Sequence, residues 1–388
     1  MFHIGIDISK FKHDCFIATN AGDKIGSFTF KNDHEGFQTL KKELESLGEQ
    51  NQIKIGFEST GHYGNNLKSF LSKLGYTYLE FNPQLTSKFS KATSLRKAKT
   101  DKIDAKLIAS MLGQFDYKSL HTSFYHENDL KELVRQRDSY LESRSKELVK
   151  LTNVLDKVFP EFKPFFDDKF SKTSLYILKR FKNKEKIANL NMSHHETLRK
   201  MSMGKFTYAK FSNLRHLAKT SVGVSSKIYD LLIPVIIDSY YYLNSLIEQL
   251  DEQITTIYAN TDSLIHTIPG IGIITAASIY AEIGNINRFT NPGQIIAYAG
   301  LDVSVSQSGL QEHRGKIVRR GSSLLRKKLY NYSFQSLRFI PQFHDYYHKK
   351  KSLGKHQNVV LTHLSRKLIR VIFHIETNKI PFDLNKIK

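Results

Sequence analysis

The chain has 388 residues, of which 40% are hydrophobic, so it has room for two or three domains and is not disordered in bulk. Its 58 Lys and Arg residues outnumber its 37 Asp and Glu residues, and the formal net charge of +21 favours a polyanionic partner, usually nucleic acid, over a merely soluble basic protein. One cysteine excludes an intramolecular disulfide, and the lack of a signal peptide or a bilayer-length apolar run predicts a cytoplasmic protein with no membrane partner.

The first 115 residues alternate between strand and helix patterns. Apolar runs predict strands at 2–8, 14–19, 24–30, 53–57 and 76–81, and helical spacing predicts helices at 34–46, 65–74 and 101–112. Three strands, a helix and then alternating strands and helices form the element order of an RNase H-like α/β domain.

Four acidic residues carry the strongest chemical signal. Asp7 lies inside the first predicted strand and Glu58 follows the fourth, while Asp101 and Asp104 are three residues apart on one face of a predicted helix. A carboxylate in a buried strand is costly unless a cation neutralises it. The pattern therefore predicts a divalent metal site.

A basic connection from residue 88 to 102 leads into this acidic pair. Its cations are Lys88, Lys91, Arg96, Lys97, Lys99 and Lys102. We predict a phosphate-contacting segment. The alternative is a solvated loop.

The middle of the chain carries two long helical patterns, at 127–159 and 228–258. Apolar residues repeat over some four heptads in the first, which predicts an antiparallel helical pair of the coiled-coil type. The pair is either a dimer interface or a spacer. Between the patterns, residues 160–225 show helical fragments and a basic composition, which predicts contact with nucleic acid.

A Pro-Gly-Ile-Gly turn at 269–272 precedes a predicted helix at 273–283. With a short helix before the turn, this pattern predicts a helix-hairpin-helix, in which Gly270 and Gly272 let the backbone approach a phosphate. Such a motif holds the DNA backbone without reading base sequence.

A strand pattern follows at 303–308, with serines at 304, 306 and 308 on one face and glycine at 309. Serine-rich turns are usually structural, but a cationic cluster follows here, and guanidinium groups suit a scissile phosphate. The cluster consists of His313, Arg314, Lys316, Arg319, Arg320, Arg326, Lys327 and Lys328.

Together these motifs resemble the DEDD-type insertion-sequence transposases, the family that includes the Piv DNA invertase. The resemblance runs nearly end to end and is carried by Gly-Ile-Asp-Ile-Ser-Lys at 5–10, Phe-Glu-Ser-Thr-Gly at 57–61, Lys-Thr-Asp-Lys-Ile-Asp-Ala at 99–105, Ile-Pro-Gly-Ile-Gly at 268–272, Tyr-Ala-Gly-Leu at 298–301, Gln-Ser-Gly at 307–309 and Gly-Ser-Ser-Leu-Leu-Arg at 321–326. One departure is Val303, where the family usually has proline.

The resemblance implies a RuvC-like domain at 1–115, a helical coiled-coil region at 116–260 and a mostly α-helical transposase domain with the helix-hairpin-helix at 261–388. It implies that Asp7, Glu58, Asp101 and Asp104 are catalytic and hold one or two Mg²⁺ ions, or Mn²⁺, and that Ser308 is the nucleophile. It also implies donor and target DNA, a structured non-coding guide RNA, a dimer or tetramer whose sites combine two subunits, and association with the nucleoid when active. The predicted nucleic-acid contacts are Lys99, Lys102, Gly270, Gly272, Arg314, Lys316, Arg319, Arg320 and Arg326.

Three hypotheses follow. The first is a recombinase that moves an insertion sequence through a phosphoserine intermediate. The second is a RuvC-like structure-specific nuclease that uses metal-activated water and no serine. The third is a nucleic-acid-binding protein with a decayed catalytic scaffold, which the four acids disfavour because a pure binder gains nothing from carboxylates facing phosphate.

Overall fold

A computed structural model describes residues 1–59, 61–93, 101–114, 126–308 and 311–386; within these ranges it does not extend to the side chains of 84, 126–128, 304–308 and 311–316. The chain groups into two compact units. The first comprises Met1–Glu127 and Asn285–Thr290, and the second comprises Asn128–Gly284 and Asn291–Lys388. The division into three domains at 115 and 260 stays a prediction.

A five-stranded sheet forms the centre of the first unit. Its strands are β1 (Phe2–Ile8), β2 (Lys12–Thr19), β3 (Lys24–Lys31), β4 (Ile53–Glu58) and β5 (Tyr78–Phe81). The spatial order is β3-β2-β1-β4-β5, with β1, β2 and β3 antiparallel and β4 parallel to both β1 and β5. Short turns join the first three strands, whereas helices supply the longer crossovers that parallel strands need. The sheet confirms the predicted mixed α/β architecture.

Four helices accompany the sheet: α1 (His34–Ser46), α2 (Asn65–Lys73), α3 (Pro83–Thr93) and α4 (Asp101–Gln114). One buried core joins the sheet to α1 and α2 through residues such as Leu40 and Leu67. A second core joins β5, α3 and α4 through Phe81, Phe89 and Met111. The prediction of a connection from residue 88 was therefore wrong up to Thr93. Burial of Phe89 stabilises helix where the lysines alone indicated a loop.

Two long helices run through the second unit, α5 (His126–Val158) and α11 (Lys227–Ala259). Arg144 Nη1 donates to Asn244 Oδ1 at 2.9 Å, and nearer the start of α5 Arg137 forms a two-pronged ion pair with Asp251. Rising residue numbers on α5 thus meet falling numbers on α11, so the helices are antiparallel.

Five shorter helices lie between these two: α6 (Phe162–Phe165), α7 (Lys172–Phe181), α8 (Lys184–Ala188), α9 (Met192–Met201) and α10 (Tyr208–Thr220). Their apolar faces share one core with the end of α5 and the start of α11. The fragments predicted at 160–225 are therefore a packed helical subregion.

The C-terminal part of the second unit is mostly helical. Its helices are α12 (Ile273–Ile283), α13 (Pro292–Tyr298), α14 (Ser323–Gln335), α15 (Pro341–Ser352) and α16 (Gln357–Asn378), and a hairpin of β6 (Val303–Ser308) and β7 (Gln311–Ile317) lies between α13 and α14. No helix in the described ranges combines the length and apolar character needed to cross a membrane.

Candidate active site

Two glycines bring α4 directly onto the sheet. Gly5 on β1 and Gly56 on β4 are paired in the parallel register. A Cβ on Gly5 would lie 2.1 Å from the carbonyl oxygen of Ala105, and a Cβ on Gly56 would lie 3.0 Å from the side chain of Leu112, and both of these residues are on α4. Only glycine allows this approach. Since side chains alternate along a strand, the face that receives α4 also carries Asp7 and Glu58.

The close approach gathers acidic side chains at one end of the sheet. Burial first, and then the negative charges of neighbouring carboxylates, together raise the pKa of Asp7 to about 7. These neighbours are Asp104, Asp101, Glu58 and Asp14. The structure thus brings all four predicted acids together and adds a fifth.

The fifth acid, Asp14, faces Asp7 across the antiparallel pair of β1 and β2. Its side chain is buried and accepts a hydrogen bond from Thr29 Oγ1 at 2.6 Å. The sequence signal for Asp14 resembles that for Asp7, an acid inside an apolar strand. We did not predict it as a site residue because no second motif points to it.

Two further residues hold the acids in place. Thr86 on α3 is buried and donates a hydrogen bond to Glu58 Oε2. Lys12 Nζ lies 3.4 Å from Asp14 Oδ2 and 3.7 Å from Asp101 Oδ2. No sequence signal indicated Thr86, because α3 was not predicted.

The acidic side chains are of the type that binds a divalent cation, but they are not arranged as a metal site in this structure. Among the described residues, no three Asp, Glu, His or Cys side chains are placed to hold a metal ion. Asp101 is paired with Lys12, but both side chains are about half exposed, and such a pair is worth only about 0–1 kcal/mol. Carboxylate oxygens are the ligands that Mg²⁺ prefers, and a cation would relieve the repulsion at Asp7.

The sequence predicted two basic nucleic-acid contacts in this unit, and the structure describes one of them. Lys102 lies exposed in the first turn of α4, next to Asp101. Lys99 lies outside the described residues.

The Pro-Gly-Ile-Gly turn follows a single 3-10 turn, Ile265–Thr267, and precedes α12. Gly270 has φ of +82°, and a Cβ there would lie 2.3 Å from the Phe339 ring, so packing by itself requires this glycine. Around Gly272 a Cβ would meet nothing within 4 Å. Gly272 caps α12 without a side-chain hydrogen bond, so the first N–H groups of the helix have no side-chain cap. Of the two glycines, only Gly272 leaves open space for a phosphate.

Ser308 is the last residue of β6 and pairs with Gln311. The predicted strand at 303–308 is thus confirmed, and β7 carries Arg314 and Lys316 beside it. The structure does not describe the side chains of these three residues, so their roles stay predictions.

Part of the cationic cluster predicted downstream of Ser308 is engaged in contacts within the protein. Lys327 Nζ lies 2.8 Å from Asp138 and 3.1 Å from Glu142, both on α5. Arg326 donates to the carbonyl oxygen of Ala299 at 2.9 Å. Arg319 and Arg320 are exposed at the loop before α14.

A buried carboxylate anchors that same loop. Glu282 on α12 is fully buried, receives two hydrogen bonds from Arg135 and accepts one from Ser322 Oγ at 2.7 Å. Burial pushes the pKa of Glu282 upward, but these hydrogen bonds outweigh it and hold the pKa below its ordinary value. Ser322 also caps α14, so the acid links three helices.

Comparison with known proteins gives matches in both units. A transposase profile of the IS110 DEDD class matches residues 4–160, and a profile described as the transposase IS116/IS110/IS902 family matches residues 262–348. The pilin gene-inverting protein of Moraxella bovis is 23% identical over 385 residues, which are 98% of this chain and 97% of that protein. An uncharacterized 44.8 kDa protein of insertion element IS116 from Streptomyces clavuligerus is 21% identical over 382 residues, or 97% of this chain and 94% of its own. The transposase for insertion sequence element IS1111A of Coxiella burnetii is 36% identical over 96 residues, which cover 24% of this chain and 25% of that protein.

The sheet, its acidic cluster and the profile on residues 4–160 define a DEDD-class transposase with an RNase H-like fold. The chain belongs to the IS110 family of insertion-sequence transposases, which includes the pilin gene-inverting proteins. It is therefore an enzyme that cleaves and rejoins DNA.

Proposed function

We propose that this transposase cuts and rejoins DNA at specific sites through a phosphoserine intermediate, with divalent metal held by its acidic cluster and with RNA as the guide. The observation that carries the proposal is the convergence of Glu58, Asp101 and Asp104 on the half-buried carboxyl of Asp7. A structural role does not explain acids that destabilise one another.

In this mechanism Asp7, Glu58, Asp101 and Asp104 would hold the metal, for which Asp101 would have to leave its weak pair with Lys12. One or two Mg²⁺ ions, with Mn²⁺ as the alternative, would polarise the scissile phosphate and stabilise the leaving 3′ oxygen. The protein supplies the fixed ligands, because Gly5 seats α4 on the sheet and Thr86 orients Glu58.

Ser308 supplies the nucleophile. Its Oγ attacks phosphorus while the bond from phosphorus to the 3′ oxygen breaks, and the serine proton passes to solvent as the 3′ oxygen gains one. A 3′ hydroxyl of another strand then attacks the phosphoserine and releases Ser308. Because one phosphodiester replaces another, no external energy source is required. The exposed Arg319 and Arg320 are placed on the loop after the hairpin, where they can neutralise charge on the phosphate.

The test uses the full chain and labelled DNA that spans the junction between the element and its flank. We expect an SDS-resistant protein–DNA adduct from the wild-type protein and none from Ser308→Ala, with DNA binding unchanged. Ser306→Ala and Ser304→Ala are the matched controls and should retain the adduct. An adduct that persists in Ser308→Ala would refute this serine as the nucleophile, and free cut ends without rejoined strands would indicate a metal-dependent nuclease.

DNA backbone contact by the turn at 269–272 is part of the proposal. The open space at Gly272 and the uncapped start of α12 support it, since free N–H groups at a helix N-terminus attract phosphate. Gly270 serves this contact only indirectly, through its packing against Phe339.

RNA guidance rests on the family resemblance and is supported by the net charge of +21. We expect the full chain purified from cells to carry an RNA whose sequence matches DNA flanking its own gene, as measured by sequencing. A purified, active protein that carries no such RNA would remove the guide from the proposal and leave the recombinase.

An oligomer is proposed from an apolar stripe on α11. Five apolar residues at helical spacing are each at least 40% exposed: Ile228, Leu231, Leu232, Val235 and Tyr242. Exposed apolar surface of this continuity marks interaction sites, and a second copy of α11 would bury it. This supports a dimer, on which a tetramer can be built.

A further inference from the structure

A cavity of about 340 Å³ lies between α16 and the segment that follows it, away from every residue assigned above. Its volume is at the lower end of the range for small-molecule sites, roughly 300–1,000 Å³, so it admits one ring system rather than an extended ligand. The floor of the cavity is apolar, since Phe343 and Ile375 are buried and Phe382 is half-buried.

The rim of the cavity is cationic. Lys367, Arg370 and Lys386 line it together with His374, and Asp383 is the one acid in the lining. Asp383 already accepts a hydrogen bond from the backbone N–H of Asn385 at 3.0 Å. Positive charges thus outnumber the negative one around an apolar floor.

Arg370 is the cation best placed to receive a ligand. It is exposed on α16 and makes no ion pair within the described part of the chain. By contrast, Arg366, one turn earlier, donates to the carbonyl oxygen of Leu301 through two nitrogens, at 2.9 and 2.7 Å. Arg366 is therefore structural, whereas the guanidinium of Arg370 remains available.

The surroundings of α16 are electropositive beyond the rim. Burial lowers the pKa of His363 on the same helix, and three nearby positive charges lower it further. These charges belong to Arg366, Lys350 and Lys355. An anionic ligand would therefore gain from the field of the whole helix as well as from the rim.

We propose that this cavity binds one unpaired nucleotide of a nucleic-acid strand, with its base against Phe382 and its phosphate on Arg370. Apolar depth suits the face of a base, and a forked guanidinium suits phosphate. A base within a duplex stays stacked on its neighbours and cannot enter the cavity, so the site selects unpaired nucleotides. The proposal rests on the proposed function only in that the chain meets single-stranded DNA or RNA during its reaction.

The experiment uses the full chain and two probes, an eight-residue oligothymidylate and an eight-residue oligouridylate, each with one central 5-iodouracil. After irradiation, mass spectrometry should locate a crosslink within 367–386, and the probe that gives it identifies DNA or RNA as the source. Phe382→Ala should remove the crosslink and weaken binding of that probe by about fivefold or more. Crosslinks that fall only outside 367–386 with both probes would overturn the proposal.

A second readout isolates the phosphate contact. Arg370→Ala should lower the slope of log binding constant against log salt by about 0.7 for a single strand, whereas Arg370→Lys should preserve the slope. Arg180→Ala, an exposed arginine on α7, is the matched control and should leave the crosslink intact. An unchanged slope in Arg370→Ala would refute the phosphate contact. Formation of the Ser308 adduct is measured in parallel, so that loss of the cavity site is distinguished from failure of the recombinase.

Discussion

Among individual residues, Asp7 most clearly combines the requirements of folding with those of chemistry. It lies on a central strand, where burial disfavours its charge, and four other carboxylates disfavour it further. Its pKa of about 7 lies well above the ordinary value of 3.8. Because the folded state then holds the proton more tightly than the unfolded state, stability falls as pH rises from about 4 through 7.

This repulsion predicts that Asp7→Asn stabilises the metal-free protein. In EDTA at pH 8 we expect a higher melting temperature for Asp7→Asn than for the wild type, because the amide carries no charge. The difference should narrow as pH falls toward 5, where the folded wild-type protein has Asp7 protonated. Differential scanning fluorimetry across this pH range measures both effects.

Mg²⁺ should reverse the order of these two melting temperatures. The ion should raise the melting temperature of the wild type and have less effect on Asp7→Asn, since one ligand is weakened. Asp167→Asn, at a fully exposed carboxylate, is the control and should follow the wild type throughout. A variant Asp7→Asn that is less stable than the wild type in EDTA at pH 8 would contradict the repulsion.

Among the secondary-structure elements, the decisive feature is the close packing of α4 on the sheet. The helix packs on β1 and β4 across Gly5 and Gly56, and its first turn carries Asp101 and Asp104. The acids on α4 and the acids on the strands therefore form one site because these glycines allow the helix to pack closely on the sheet.

A methyl group at residue 5 tests this coupling. Gly5→Ala places Cβ 2.1 Å from a backbone oxygen of α4, and overpacking of this kind typically costs about 1–3 kcal/mol. We expect a lower melting temperature and loss of the Ser308 adduct, because α4 must move away from Asp7.

Gly26→Ala is the matched control, since a Cβ on this residue of β3 meets nothing within 4 Å. Its melting temperature should stay equal to that of the wild type or rise slightly, because alanine loses less backbone entropy in a strand. Full adduct formation in Gly5→Ala would show that the close packing of α4 against residue 5 is not needed for the reaction.

In the whole molecule, charge and exposed apolar surface point to different partners. The excess of positive charge suits nucleic acid, while the stripe on α11 suits a second protein surface. Leu231 and Val235 lie at its centre, 69% and 59% exposed. Burial of such side chains contributes about 1.5–3 kcal/mol each, enough to hold a dimer when several act together.

A charge placed in the stripe should therefore dissociate the oligomer. We expect Leu231→Asp to shift the full chain to the monomer mass in sedimentation or light scattering, with helical content unchanged because the residue is exposed. Gln253→Glu, at an exposed residue later on α11, adds a charge outside the stripe and should not change the mass. A wild-type chain that is monomeric at working concentration would exclude this interface.

The sequence by itself determined the five strands of the first unit, its helices α1, α2 and α4, the two long helices, the helix at 273–283 and the strand that ends at Ser308. These elements have strong apolar periodicity or clear glycine boundaries, which are local signals. It also indicated Asp7, Glu58, Asp101 and Asp104, because acids stand out in or beside apolar runs. The family follows from short ordered motifs, which need no tertiary information.

Only the tertiary structure decided which charged residues act together. Asp14 joins the acidic cluster by strand pairing, and Thr86 reaches Glu58 from a helix that the lysine-rich sequence concealed. Lys327, which the sequence placed in a phosphate-binding cluster, is paired with acids on α5 almost 190 residues earlier. Charge is visible in a sequence, but packing between distant segments decides which charges pair with one another, and so decides which cations remain available to a ligand.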